Sequence, residues 1–74
     1  MVEVLDAKGL MCPMPIVQLA KKMKTMKVGE ELDLIASDVG SKADVPAWCQ
    51  RTGNELVSMK EENGIFTYRI KKLK

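Results

Sequence analysis

Pro13 and Pro15 follow Cys12 at +1 and +3, and no other feature of the sequence constrains the fold as tightly. Proline lacks an N–H and crowds the preceding turn, so a helix accepts it readily only in its first turn. Cys12-Pro13-Met14-Pro15 therefore marks a helix start, with a strand-like segment before it. Cys12 falls at or near the N-cap, because a residue preceding proline is held extended, as an N-cap residue is. Met14 also precedes a proline, which leaves open a later start with Met14 as cap. With Cys12 as cap, its sulfur faces the positive end of the helix dipole. Pro15 has no N–H, so the Met14 amide is the expected donor to a Cys12 thiolate, and such a setting lowers a thiol pKa. Cys12 is thus a candidate nucleophile, with burial as a small hydrophobe the alternative.

The rest of the chain alternates strand and helix signals. Residues 2–6 read as a short strand with Val2, Val4 and Ala7 set against Glu3, Leu5 and Asp6. Asp6 is either plain surface or a brace for the Lys8-Gly9 loop through side-chain hydrogen bonds. From Pro13 to Met26, Ile16, Leu19, Ala20, Met23 and Met26 recur at helical spacing, and Gly29 reads as the C-terminal cap. Lys21, Lys22 and Lys24 crowd towards that end, where cations oppose the dipole. Their second reading is a docking patch for acidic partners. Glu31 to Ser37 is a strand with Leu32, Leu34 and Ala36 on one face. Ser41-x-x-Asp44 resembles a capping box opening a second helix to about Thr52, although Pro46 also allows a start capped by Asp44. Val45, Trp48 and Cys49 form its apolar side, and Gly53 ends it. Glu55 to Glu61 and Ile65 to Lys71 are strands joined by Glu62-Asn63-Gly64, a hairpin signal, with Phe66, Tyr68 and Ile70 under the helices.

Seventy-four residues make one domain, spanning 1–74, with 46% hydrophobic and 30% charged residues. Only the last few lysines read as candidates for disorder. No apolar run reaches the roughly 18 residues of a membrane span. The N-terminus has neither a basic region nor an apolar signal core, so a cytoplasmic protein is expected. Cys12 and Cys49 lack the paired spacing of a structural zinc site, and no metal is expected. Histidine is absent. Activation of Cys12 must then come from helix geometry and nearby positive charge, which argues against a cysteine-histidine hydrolase. Cys49, without adjacent prolines and on the apolar side of its helix, reads as structural.

Leu5-Asp6-Ala7-x-Gly9-Leu10-x-Cys12-Pro13-x-Pro15 resembles the signature of the TusA/SirA-like family of small sulfur carriers. The likeness runs from Leu5 to about Lys72 through Val28-Gly29-Glu30, Val45-Pro46-x-Trp48-Cys49, Glu55-Leu56-Val57 and the closing aromatic strand. It implies a two-layer α/β sandwich of βαβαββ order, a four-stranded mixed sheet with two helices on one face. It implies further that Cys12 carries sulfane sulfur as a persulfide, with no bound cofactor, between sulfur-donor and sulfur-acceptor proteins. Pro13, Met14 and Pro15 would support the helix start, and Asp6 and Gly9 the loop. Many relatives have Asp-Pro where this chain has Asp38-Val39-Gly40. The family spans tRNA thiolation, cofactor biosynthesis and sulfur oxidation, which differ by partner surface rather than by the cysteine site.

Two other classes compete with a persulfide relay. One is a small RNA-binding module, disfavoured by a net charge of only +2 and by Phe66 and Tyr68 falling at core positions. The other is a regulatory interaction domain without chemistry, in which Cys12 and its prolines form only a structural corner.

Overall fold

The computed structural model describes residues 2–11 and 13–74. The elements run β1 (Val2–Ala7), α1 (Met14–Lys24), β2 (Glu31–Ala36), α2 (Ser41–Thr52), β3 (Glu55–Glu62) and β4 (Ile65–Lys71). Sheet order is β1-β2-β4-β3, with β1 parallel to β2 and the other two pairings antiparallel. This is the expected βαβαββ sandwich with a mixed sheet. Both crossovers return the chain to a parallel strand, so α1 and α2 run parallel to each other and both helix starts lie beside the C-terminal ends of β1 and β2.

The core lies between the sheet and the helices. Leu32, Leu34 and Ala36 from β2 and Phe66, Tyr68 and Ile70 from β4 meet Leu19, Met23, Val45, Trp48 and Cys49 from the helices. Strict alternation on β2 and β4 puts their other residues on an uncovered face. There Arg69 donates two hydrogen bonds, of 2.8 and 2.9 Å, to the Asp33 carboxylate directly across the strands. The Ser41 hydroxyl and the Tyr68 phenol are buried and lie 2.7 Å apart. They satisfy each other, so neither carries the cost of an unpaired buried polar group.

Several expectations are corrected. On β1 the inward residues are Glu3, Leu5 and Ala7, and Val4, 63% exposed, lies on the open face with Val2. Glu3 sits at the sheet margin, where Lys22 of α1 reaches it at 2.9 Å. Gly29 does not cap α1, whose C-cap is Thr25; Gly29 turns the chain into β2, and its N–H donates to the Lys72 carbonyl at 2.7 Å. Neither Ser41 nor Asp44 caps α2. Gly40 holds that position, and Pro46 lies inside the helix rather than in its first turn. Its missing N–H removes the bond to the Lys42 carbonyl, a loss the buried Val45, Trp48 and Cys49 offset by packing. The hairpin turn is Asn63-Gly64, both at positive φ (53° and 77°), which matches the strand twist. The terminal lysines are tied in, since the Leu73 and Lys74 amides donate to Asn54 Oδ1 at 2.9 and 3.4 Å.

Candidate functional site

The loop between β1 and α1 is built from local rules and one distant tie. The Leu10 N–H donates to the Ala7 carbonyl at 3.2 Å, closing a turn through Lys8 and Gly9. Gly9 has φ 83°, a backbone that a side chain would strain. Asp6 Oδ1 accepts the Lys8 N–H at 3.0 Å, so Asp6 braces the turn by a side-chain bond. The Gly9 N–H donates to Ser37 Oγ at 2.9 Å, fastening this loop to the β2–α2 loop. Ser37 escapes sequence reading because its partner is remote in the chain and nothing local marks it.

Cys12 itself lies outside the described residues, and the flanking chain defines its setting. Pro13 holds the N-cap position, at φ −97° and ψ 13°, and Met14 is the first helical residue. Met14 is therefore not the cap, and the expectation for Cys12 falls on a residue outside the described ones. The Met14 amide, the donor expected for a thiolate, instead donates to the Met11 carbonyl at 2.8 Å. The Ile16 and Val17 amides both donate to the Pro13 carbonyl at 3.1 Å. With no N–H on either proline, the first-turn amides are consumed by backbone. What α1 offers an anion at this end is its dipole field and not a free donor.

The surroundings are apolar and exposed. Met11 is 76% exposed and Val39, in the neighbouring loop, 69%, with Met14 and Val17 also open to solvent. Isolated exposed apolar residues are ordinary, but these share one end of the molecule. Beside Pro13 a hollow of about 210 Å³ runs between the helices, floored by Ile16 and Ala47 and flanked by Asp44 and Arg51. The Asp38-Val39-Gly40 turn forms without proline: Asp38 Oδ1 accepts the Gly40 N–H at 3.3 Å, and its carbonyl accepts the Ser41 N–H at 3.0 Å.

The three candidate docking lysines do not form one patch. At about 100° per residue they spread around α1. Lys22 turns to β1 and its salt bridge with Glu3, Lys24 turns towards α2, and exposed Lys21 follows Met14 and Val17 along the outer stripe. Cys49 is 3% exposed in the core, and burial pushes its thiol pKa up to about 11. It remains a neutral thiol at physiological pH, as a structural cysteine does. Phe66 and Tyr68 are buried beneath the helices, so they offer no stacking platform for bases on the open face.

The fold is a two-layer α/β domain in which the loop before α1 carries exposed apolar side chains and Pro13 and Pro15 follow Cys12 in sequence. The chain belongs to the TusA sulfurtransferase family, whose model, described as Sulfurtransferase TusA, matches residues 3–72. It is 49% identical over 69 residues to the putative sulfur carrier protein YrkF of Bacillus subtilis (strain 168), covering 93% of this chain. The match spans little more than a third, 37%, of that longer protein. The sulfur carrier protein TusA of Allochromatium vinosum is 48% identical over 68 residues, covering 92% of this chain and 90% of the relative. A putative sulfur carrier protein of Archaeoglobus fulgidus is 39% identical over 71 residues, covering 96% and 97%. No helix among the described residues is long and apolar enough to cross a membrane.

Proposed function

We propose that this chain is a cytoplasmic sulfur carrier that relays sulfane sulfur as a persulfide on Cys12. The observation that carries this reading is the family match over residues 3–72 together with Cys12 in Cys-Pro-x-Pro. The Cys12 thiolate attacks the outer sulfur of a donor persulfide. The donor's S–S bond breaks, the donor leaves as a thiolate, and Cys12 holds the sulfur as Cys-S-SH, whose proton came with the transferred sulfur. An acceptor thiolate then attacks that outer sulfur, the new S–S bond breaks, and the Cys12 thiolate returns. No electron is gained or lost overall, so no redox cofactor is required.

Donor and acceptor are proteins in this reading. The exposed Met11, Met14, Val17 and Val39 suit a protein surface, and Lys21 at the end of the same stripe suits an acidic margin on it. Asp6, Gly9 and Ser37 hold the loop in place, and Pro13 and Pro15 fix where α1 begins. The test is intact mass after exposure to a persulfidated donor protein. Wild type and Cys49→Ser should each gain one sulfur that reductant removes, and Cys12→Ser should gain none. Loading of Cys12→Ser equal to wild type would overturn the mechanism.

A further inference from the structure

We infer that the far end of the helix layer holds a second docking site, which takes one large apolar side chain of a partner segment flanked by carboxylates. A cleft of about 270 Å³ opens there between the C-terminal halves of α1 and α2. Its apolar wall is Ala20 and Met23 from α1 and Trp48 from α2, and Lys24, Lys72 and Lys74 stand around it. Among the described residues no carboxylate side chain lines it. Among the described residues Lys24 and Lys74 form no ion pair, so two of the three charges await a counterion.

The helix ends do not cancel this positive character. Exposed C-terminal carbonyls would repel an anion, but here side chains and turn amides occupy them. Lys72 Nζ donates to the Met23 and Met26 carbonyls at 2.7 and 2.6 Å. Thr52 Oγ1 donates to the Trp48 carbonyl at 2.8 Å, and the Gly53 and Asn54 amides donate to that of Cys49. The rim is also held in place. Asn54 fixes the terminal backbone, and the Lys74 stem lies across Gly53, where an added Cβ would come within 3.0 Å of Lys74 Cε. Pockets that enclose a drug-sized ligand start at roughly 300 Å³. A smaller, lysine-rimmed cleft with an indole wall suits an anchor residue on an acidic protein segment. Lys24 lies ten helical steps beyond Met14, about 15 Å along α1, so a partner seated here leaves the loop before α1 accessible.

Trp48 is the single tryptophan and reports on its own cleft. The probe is acetyl-Glu-Glu-Leu-Glu-Glu-amide, with a Leu→Ser version, an all-lysine version and phenylacetate as comparisons. The acidic leucine peptide should change Trp48 emission saturably, and binding should weaken on going from low to high salt. The Leu→Ser peptide and the Lys24→Glu/Lys74→Glu protein should each bind about tenfold more weakly, one factor for the anchor and one for the charges. Lys21→Glu and Cys12→Ser proteins should bind as wild type does, which separates this site from the sulfur chemistry. Equal binding of the lysine peptide, equal binding by the double variant, phenylacetate binding as tightly as the peptide, or no emission change at millimolar peptide would each overturn the assignment.

Discussion

The two ends of the helix layer are finished in opposite ways. At the starting end neither helix has a side-chain cap among the described residues: Pro13 and Gly40 hold the N-cap positions, and backbone carbonyls take up the first amides. At the finishing end side chains do much of the work. Lys72, Thr25 and Thr52 all donate to carbonyls there, and Gly53 closes α2 in the left-handed conformation at φ 78°. Side chains bonded to helix carbonyls tie the finishing end to the rest of the fold. The starting end carries the exposed Met11 and Val39 and the loop that leads to Cys12, the surface on which the proposed partner contact rests.

The sharpest way to break this contrast is Lys72→Met, which keeps the stem and deletes the ammonium. Two carbonyls lose a charged donor, and hydrogen bonds to charged groups are worth about 1.5–3 kcal/mol each but share one ammonium here, so a loss of about 2 kcal/mol is expected. In a domain of this size that lowers the melting temperature by roughly 10 °C. Sulfur loading at Cys12 measured at 20 °C should stay within a factor of two. A stable Lys72→Met protein with impaired loading would invert the assignment of the two ends.

The next largest effect is alkaline. The Cys49 thiol is raised from 9.0 to about 11 by burial. Between those values the unfolded state loses its proton while the folded state keeps it, so stability is full below pH 9 and falls as pH rises towards 11. Two pKa steps set an upper bound of about 3 kcal/mol. Urea unfolding of wild type and Cys49→Ala at pH 8 and pH 10.5 should show a smaller alkaline loss in the variant. Tyr68, also raised by burial, is common to both proteins and drops out of the difference. Equal losses would mean that the Cys49 thiolate is tolerated inside the fold.

Much of this architecture is legible in the sequence where a local rule and the tertiary environment agree. Asn63-Gly64 fixes the hairpin, the alternation of β2 and β4 fixes the core face, and the spacing of Leu19, Met23, Val45 and Trp48 fixes the helix undersides. Reading fails where tertiary partners outrank local preference. Val2 and Val4 look like core but face outwards, because β1 is an edge strand whose inward positions are fixed by Ala7 and Leu5. Ser41 looks like a cap, yet its hydroxyl is spent on Tyr68. Pro46 looks like a helix start, yet burial of its neighbours carries it inside α2. The lysine trio looks like one patch until the helix turn sends Lys22 to Glu3 and Lys24 to the cleft.

The smallest effect tests whether the starting end needs its single cross-loop tie. Ser37 is exposed, and its hydroxyl accepts one hydrogen bond, from the Gly9 N–H, in competition with water. Ser37→Ala should therefore cost only about 0.5 kcal/mol, the low end for a solvent-accessible bond. Its consequence for transfer is expected to be larger than its consequence for stability. Gly9 lies at the tip of the turn that leads to Cys12, and released from Ser37 that turn samples more conformations, which slows productive contact with a partner. Transfer from loaded Cys12 to an acceptor protein should slow several-fold, while exchange with a small thiol, which needs no docking, should not change. Ser37→Thr, which keeps a hydroxyl, should restore the protein rate. If both rates fall together, Ser37 acts on the reactivity of Cys12 itself; if neither falls, the two loops hold their relative positions without this bond.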